Sequence, residues 1–132
     1  MPRLYVVATP IGNLSDISPR ALETLKYCAL IAAEDTRVTR ALLNHFGIDT
    51  PCVSNHQHNE ENRAAPLIER MLAEDIDVAV VTDAGTPCIS DPGSVLVHEA
   101  AQTGIEVLAV PGATAMASAL SVSGFDTREF AF

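Results

Sequence analysis

The stretch Asp83-Ala-Gly-Thr-Pro-Cys-Ile-Ser-Asp-Pro-Gly93 holds the densest set of groups able to bind or react. Two glycines, two prolines, two aspartates and two hydroxyl side chains fall within eleven residues, more than a strand–helix connection needs. Asp83, Ala84, Gly85, Thr86 and Pro87 offer backbone groups and small side chains that let a flat ligand approach closely, and Ser90 adds a hydroxyl. Glu34-Asp-Thr-Arg37 sets two carboxylates beside a guanidinium. That set can take a proton from a weakly acidic hydroxyl or orient a phosphate. It can equally cap a helix and close an internal ion pair. His56-Gln-His-Asn-Glu60 places two imidazoles two positions apart with a carboxylate nearby. Metal ligation needs a further ligand at fixed spacing, which the segment lacks; a polar active-site wall and an exposed helix entry are the other readings. Thr9-Pro-Ile-Gly-Asn-Leu-Ser-Asp16 and Pro111-Gly112 complete the inventory, although Gly12-Asn13 is also an ordinary turn pair. The chain has no GxGxxG after its first strand, no GxxxxGK[ST] and no GxSxG, which removes three common nucleotide and nucleophile signatures.

These segments need elements to hold them, and the hydrophobic pattern supplies candidates. Leu4–Ala8, Leu30–Ala33, Cys52–Val53, Asp77–Thr82 and Ile105–Val110 are short β-rich runs. Helical spacing follows Ser18-Pro19, an N-cap with proline at the first helical position. It recurs over Thr39–Phe46, from Asn59 to Glu74 with Leu67, Ile68, Met71 and Leu72 on one face, over Val95–Thr103, and over Ala113–Ser121. Phe130-Ala-Phe132 is expected to begin a further strand. Strand alternating with helix predicts an α/β fold: a doubly wound, mainly parallel sheet flanked by helices. Ligands of such sheets bind beyond the carboxyl ends of the strands, and the loops at Thr9, Glu34, Asp83 and Pro111 each follow a predicted strand. Pro10, Asp83, Gly85, Thr86, Pro87 and Pro111 are therefore expected in one contiguous patch.

Composition bounds the partners. The chain has 132 residues, 48% of them hydrophobic, which fits one globular domain. Its longest apolar run, Tyr27 to Ala33, is far shorter than a membrane span, so no membrane partner is expected. No secretory signal pattern precedes the first strand. The three cysteines make no CxxC pair, which suits a reducing cytoplasm. Seventeen acidic against eight basic residues give a net charge of −9. A chain so acidic is a poor nucleic-acid binder by itself; either its ligand is small, or positive charge comes from elsewhere. The ending on Phe130-Ala-Phe132 suggests a cut at a domain boundary.

Taken together and in this order, Ala8-Thr-Pro-Ile-Gly-Asn-Leu-Ser-Asp-Ile17, Ala33-Glu-Asp-Thr-Arg37, His56-Gln-His-Asn-Glu60, Thr82–Gly93 and Pro111-Gly112 resemble the tetrapyrrole methylase superfamily, and within it the ribosomal RNA small subunit methyltransferase I family. The resemblance spans nearly the whole chain. It implies the N-terminal domain of a two-domain enzyme that is typically a homodimer. It further implies S-adenosyl-L-methionine as cofactor, and methylation of a cytidine ribose 2′-hydroxyl in the decoding region of small-subunit ribosomal RNA. On that reading Glu34, Asp35, Arg37 and His58 are the catalytic candidates. Pro10 and Gly12, Asp83 to Pro87, Ser90, and Pro111 with Gly112 are the cofactor-binding ones. Methylation of a tetrapyrrole carbon and a non-catalytic binding role are the competing expectations.

Overall fold

The computed structural model describes residues 1–56 and 58–132. Strands β1 (Arg3–Val7), β2 (Leu30–Ala33), β3 (Cys52–Ser54), β4 (Val78–Val81) and β5 (Glu106–Val110) alternate with helices α1 (Pro19–Tyr27), α2 (Thr36–His45), α3 (Glu60–Glu74), α4 (Ser94–Gln102) and α5 (Ala115–Ser123). The strands form one sheet in the order β3-β2-β4-β1-β5, and every neighbouring pair is parallel. This is the α/β architecture that the alternation predicts.

The strand period of two divides the core. Leu4, Leu30, Ala32, Val78 and Val80 point to one face and meet Ala64, Ile68 and Met71 of α3 and Leu96 and Ala100 of α4. Val7, Ile31, Ala33, Ala79 and Val81 point to the other and meet Ala21 and Leu25 of α1 and Leu43 of α2. Strands β2 and β4 are buried at every position, so both appear in the sequence as unbroken apolar runs.

Local chemistry sets the helix boundaries. The Ser18 hydroxyl accepts the Ala21 N–H at 3.0 Å and starts α1 as expected. Helix α2 begins at Thr36, three residues before the expected Thr39, because the Asp35 carboxylate caps it by accepting the Arg37 N–H at 2.9 Å. On α3 the buried line is Ala64, Ile68 and Met71, whereas Leu72 is 44% exposed; one step beyond Met71 turns about 100° out of the face. Helix α5 starts two residues later than expected and buries none of its side chains. Residues 130–132 form no strand: they join no neighbour's ladder, and Phe130 and Phe132 lie exposed.

The winding determines where a ligand can sit. The connections after β1 and β2 pass over the α1/α2 face, whereas the connections into and out of β4 pass over the α3/α4 face. Strand β4 lies between β2 and β1, so the chain leaving it turns away from the chain leaving both neighbours. A crevice at the carboxyl edge follows from that reversal.

Candidate functional site at the carboxyl edge of the sheet

Loops from three strands are stitched together at this edge. Thr9 and Gly85 exchange two backbone bonds, Thr9 N–H to Gly85 C=O at 2.9 Å and Gly85 N–H to Thr9 C=O at 3.0 Å, an antiparallel bridge above a parallel sheet. The buried Thr9 hydroxyl donates to the Thr82 carbonyl at 3.3 Å. Thr86 donates to the Ala113 carbonyl at 3.0 Å, which joins the β4 loop to the segment after Pro111-Gly112. Two glycines mark the close approaches. A Cβ on Gly112 would stand 2.9 Å from the Ala8 Cβ, and Gly85, at φ 88°, adopts a conformation that glycine alone takes without strain.

The stitched loops form a ridge with a cleft on each side. The first cleft, about 420 Å³, is bounded by Pro10, Gly12, Asn13 and Leu14, by Val38, Ala41, Leu42 and His45 of α2, and by Asp83. The second, about 110 Å³, is bounded by Ile11, by Ala84, Gly85, Thr86, Ile89 and Asp91, by Thr114 to Met116 and by Phe132. Of the expected single patch, Pro10 and Asp83 border the first cleft and Gly85 and Thr86 the second, with the Thr9–Gly85 bridge between them, whereas Pro87 and Pro111 border neither. Pro87 is buried beneath the loop, Pro111 and Gly112 are exposed above β5, and Ser90 is exposed with φ 57°.

Acidic groups converge at the ridge. Glu34 Oε1 accepts the Thr82 hydroxyl at 2.7 Å and the Asp83 N–H at 3.1 Å. Asp83 Oδ1 accepts the Asp35 N–H at 3.1 Å. The ends of β2 and β4 are therefore locked to each other through carboxylates. Burial, and then the neighbouring Glu34, push the Asp83 and Asp91 carboxyls above their ordinary value. Asp35 behaves oppositely. Hydrogen bonds from the Arg37 side chain and backbone hold it below the usual carboxylate range. Its pair with Arg37, 3.0 Å between Oδ2 and the guanidinium, leaves the arginine side chain 90% exposed.

The His56–Glu60 segment borders this centre, with Gln57 outside the described residues. His56 N–H donates to Asn59 Oδ1 at 2.8 Å, and His58 N–H donates to His56 Nδ1 at 3.2 Å. The two rings meet edge to face at 5.8 Å, and His58 is exposed. Among the described residues no trio of His, Cys, Asp or Glu is grouped to hold a metal ion. Glu60, by contrast, is only 8% exposed and accepts the Gly93 and Val95 N–H groups at 2.8 and 3.0 Å.

Sequence reasoning singled out Glu34, Asp35, Asp83 and the small residues after it, and the structure brings these together. It leaves Arg37 and His58 pointing to solvent at the margin. It adds Thr9, Thr82 and Asp91, and it makes Glu60, read in the sequence only as the carboxylate beside the two histidines, an acceptor for backbone amides. For the threonines a signal existed: each is the first hydroxyl after an apolar strand.

A family model for Tetrapyrrole (Corrin/Porphyrin) Methylases matches residues 3–131. The chain is 53% identical over 129 residues to "Ribosomal RNA small subunit methyltransferase I" of Pseudomonas aeruginosa, covering 98% of this chain and 45% of that protein. It is 54% identical to the protein of the same name from Synechocystis, over 98% of this chain and 46% of that one. The chain thus spans about half the length of the curated relatives it matches. Among solved structures, the uroporphyrin-III-C-methyltransferase of Thermus thermophilus superposes with a TM-score of 0.68 at 22% identity, covering 98% of this chain and 55% of that one. That likeness is one of fold. With a family match over nearly its whole length, the chain belongs to the tetrapyrrole (corrin/porphyrin) methylases.

Proposed function

We propose that this chain is the N-terminal domain of a two-domain, S-adenosylmethionine-dependent enzyme that methylates the ribose 2′-hydroxyl of a cytidine in small-subunit ribosomal RNA. The observation that carries the proposal is identity above 50% across 98% of the chain to relatives named for that RNA. On this reading the protein is cytoplasmic; among the described residues no helix is long and apolar enough to cross a membrane.

The residues of the ridge suit the donor. Ala84, Gly85 and Thr86 leave room against the backbone, Ile11, Ile89 and Met116 supply apolar walls, and Asp91 faces a cationic ligand with a carboxylate. Pro10, Gly12 and Asp83 serve the same ligand from the first cleft, and Pro87, Ser90, Pro111 and Gly112 shape the loops. The second cleft, at about 110 Å³, is smaller than the ~300–1,000 Å³ of ordinary ligand sites, which supports a second domain closing over it. Phe132, 77% exposed at the rim of that cleft, is an apolar side chain open to such a domain. A homodimer is the assembly proposed.

S-adenosylmethionine, when bound, supplies an activated methyl group, so this chain's residues have mainly to align the acceptor and manage one proton. Held by these loops, it would deliver that methyl group to the ribose oxygen and depart as the neutral thioether, and the hydroxyl proton would pass to a base on this chain. Glu34 is assigned that proton. Both of its hydrogen bonds to described residues fall on Oε1, which leaves Oε2 to accept. Asp35, held low by Arg37, is the weaker base; it keeps the guanidinium at the mouth, where an RNA phosphate can meet it. His58, exposed at the margin, is a second proton acceptor.

The test is methyl transfer from labelled S-adenosylmethionine by the full-length protein to small ribosomal subunits, with the product mapped. Ribose methylation at a cytidine is expected. No label on the RNA, with label on a tetrapyrrole carbon when a tetrapyrrole is offered in a parallel assay, overturns the proposal.

A further inference from the structure

We infer that Glu60 is a positioning residue for the methyl-donor site, an inference that rests on the donor-site reading above. The Asp83–Gly93 loop needs fixing at both ends. Two of its non-glycine residues, Cys88 at φ 72° and Ser90 at φ 57°, sit in the left-handed region. Side chains occupy that region only where surrounding contacts hold them there.

The entry is held by Glu34, which accepts the Asp83 N–H at 3.1 Å. The exit lacks a cap of its own. Helix α4 starts after Gly93, at φ 120°, with no side-chain cap bond, so its first N–H groups need an acceptor. Glu60 supplies it from the first turn of α3, taking Gly93 N–H at 2.8 Å and Val95 N–H at 3.0 Å on the same oxygen. A buried carboxylate at a helix N-terminus also opposes the helix dipole favourably. The eleven-residue loop is therefore clamped by one carboxylate at each end, and the two come from different elements. Ile89 and Asp91, which line the second cleft, lie within four residues of the Glu60 end. Asn59, beside Glu60, ties the His56 backbone at 2.8 Å, so the segment before α3 shares the same anchor.

A merely structural glutamate and a positioning one make different predictions. In the full-length protein, Glu60→Ala should weaken S-adenosylmethionine binding by about tenfold or more and raise KM for the donor, with kcat at saturating donor nearly unchanged. Glu60→Gln keeps an Oε1 acceptor, so its affinity should stay within about threefold of the parent. Ile68→Ala, in the same helix and buried in the core beneath it, is the control: it should melt early but bind donor normally. Affinity is read by titration calorimetry at a temperature where all variants are folded. Amide exchange at Gly93, Val95 and residues 83–90 should quicken in Glu60→Ala and not in Ile68→Ala. If Glu60→Ala loses melting temperature as the control does and binds donor as the parent does, the positioning role is overturned. If the parent protein binds no donor, the donor-site reading itself falls, and this role with it.

Discussion

One carboxylate at Asp35 performs two tasks that a substitution can separate. It caps α2 through the Arg37 N–H and holds the Arg37 guanidinium. Asparagine is as good an N-cap as aspartate, and an exposed ion pair contributes little to stability. Asp35→Asn in the full-length enzyme should therefore melt near the parent temperature. Because Arg37 is then no longer held at the mouth to position the RNA phosphate, its turnover should fall by about a hundredfold, with donor affinity little changed; early melting with normal turnover would return Asp35 to the cap alone. Asp83 poses a different case. Its carboxyl titrates higher in the folded chain than in the unfolded one, so its stabilising contribution is present in acid and lost as pH rises through the folded value. Asp83→Asn, which keeps an oxygen for the Asp35 N–H, should raise stability at neutral pH by under about 1 kcal/mol because the group is largely solvent-screened. The gain should shrink as pH falls into the carboxylate range, and melting curves across pH test this sign. Glu34, Asp35 and Asp83 were legible in the sequence because charged residues ending apolar strands are conspicuous. Glu60 was noted only as a carboxylate beside the histidines; its capping role was not legible, because the amides it caps lie more than thirty residues away and only the fold brings them near.

At the level of elements, strands buried on both faces announce themselves, and β2 was delimited to the residue. Helices were legible where a cap or an apolar stripe marks them. Helix α2 was placed late because its first turn, Thr36 to Val38, carries no buried side chain. Helix α5 was offset because alanine and serine give no face to read. Phe130-Ala-Phe132 was misjudged because apolar residues alone do not make a strand without a ladder to join. The β4–α4 connection is the element most sensitive to crowding. A Cβ on Gly93 would stand 2.7 Å from Cys88 Sγ and 3.3 Å from the buried Val80. Gly93→Ala should cost about 1–3 kcal/mol by overpacking, with backbone strain at φ 120° added. Denaturant unfolding measures the loss; a change below about 0.5 kcal/mol, as for a neutral surface site, would mean that the loop yields freely.

For the molecule as a whole, the net charge of −9 and the small second cleft of about 110 Å³ both fit the second domain of the proposed function. On the proposed function, this 132-residue chain should bind S-adenosylmethionine at least about tenfold more weakly than the full-length protein, because contacts from the second domain are missing. Equal affinities by calorimetry would make that domain irrelevant to the cofactor. If the proposed homodimer is held through this half, light scattering of the chain should give twice the monomer mass, and a strict monomer would move the interface elsewhere.

The position of β1 has a consequence in time. Among the described residues β1 is hydrogen-bonded to β4 and β5, both later in the chain, and the Arg3 N–H waits for the Asp77 carboxylate, 74 positions later. On a ribosome adding roughly 5–20 residues per second, Leu4 to Val7 stay without their sheet partners for seconds, while β2 and β3 can already meet. Such sequence-distant pairing slows folding. Nascent β1 is thus a natural client for chaperones, and a protease acting on stalled chains should cut within β1 until β4 has emerged.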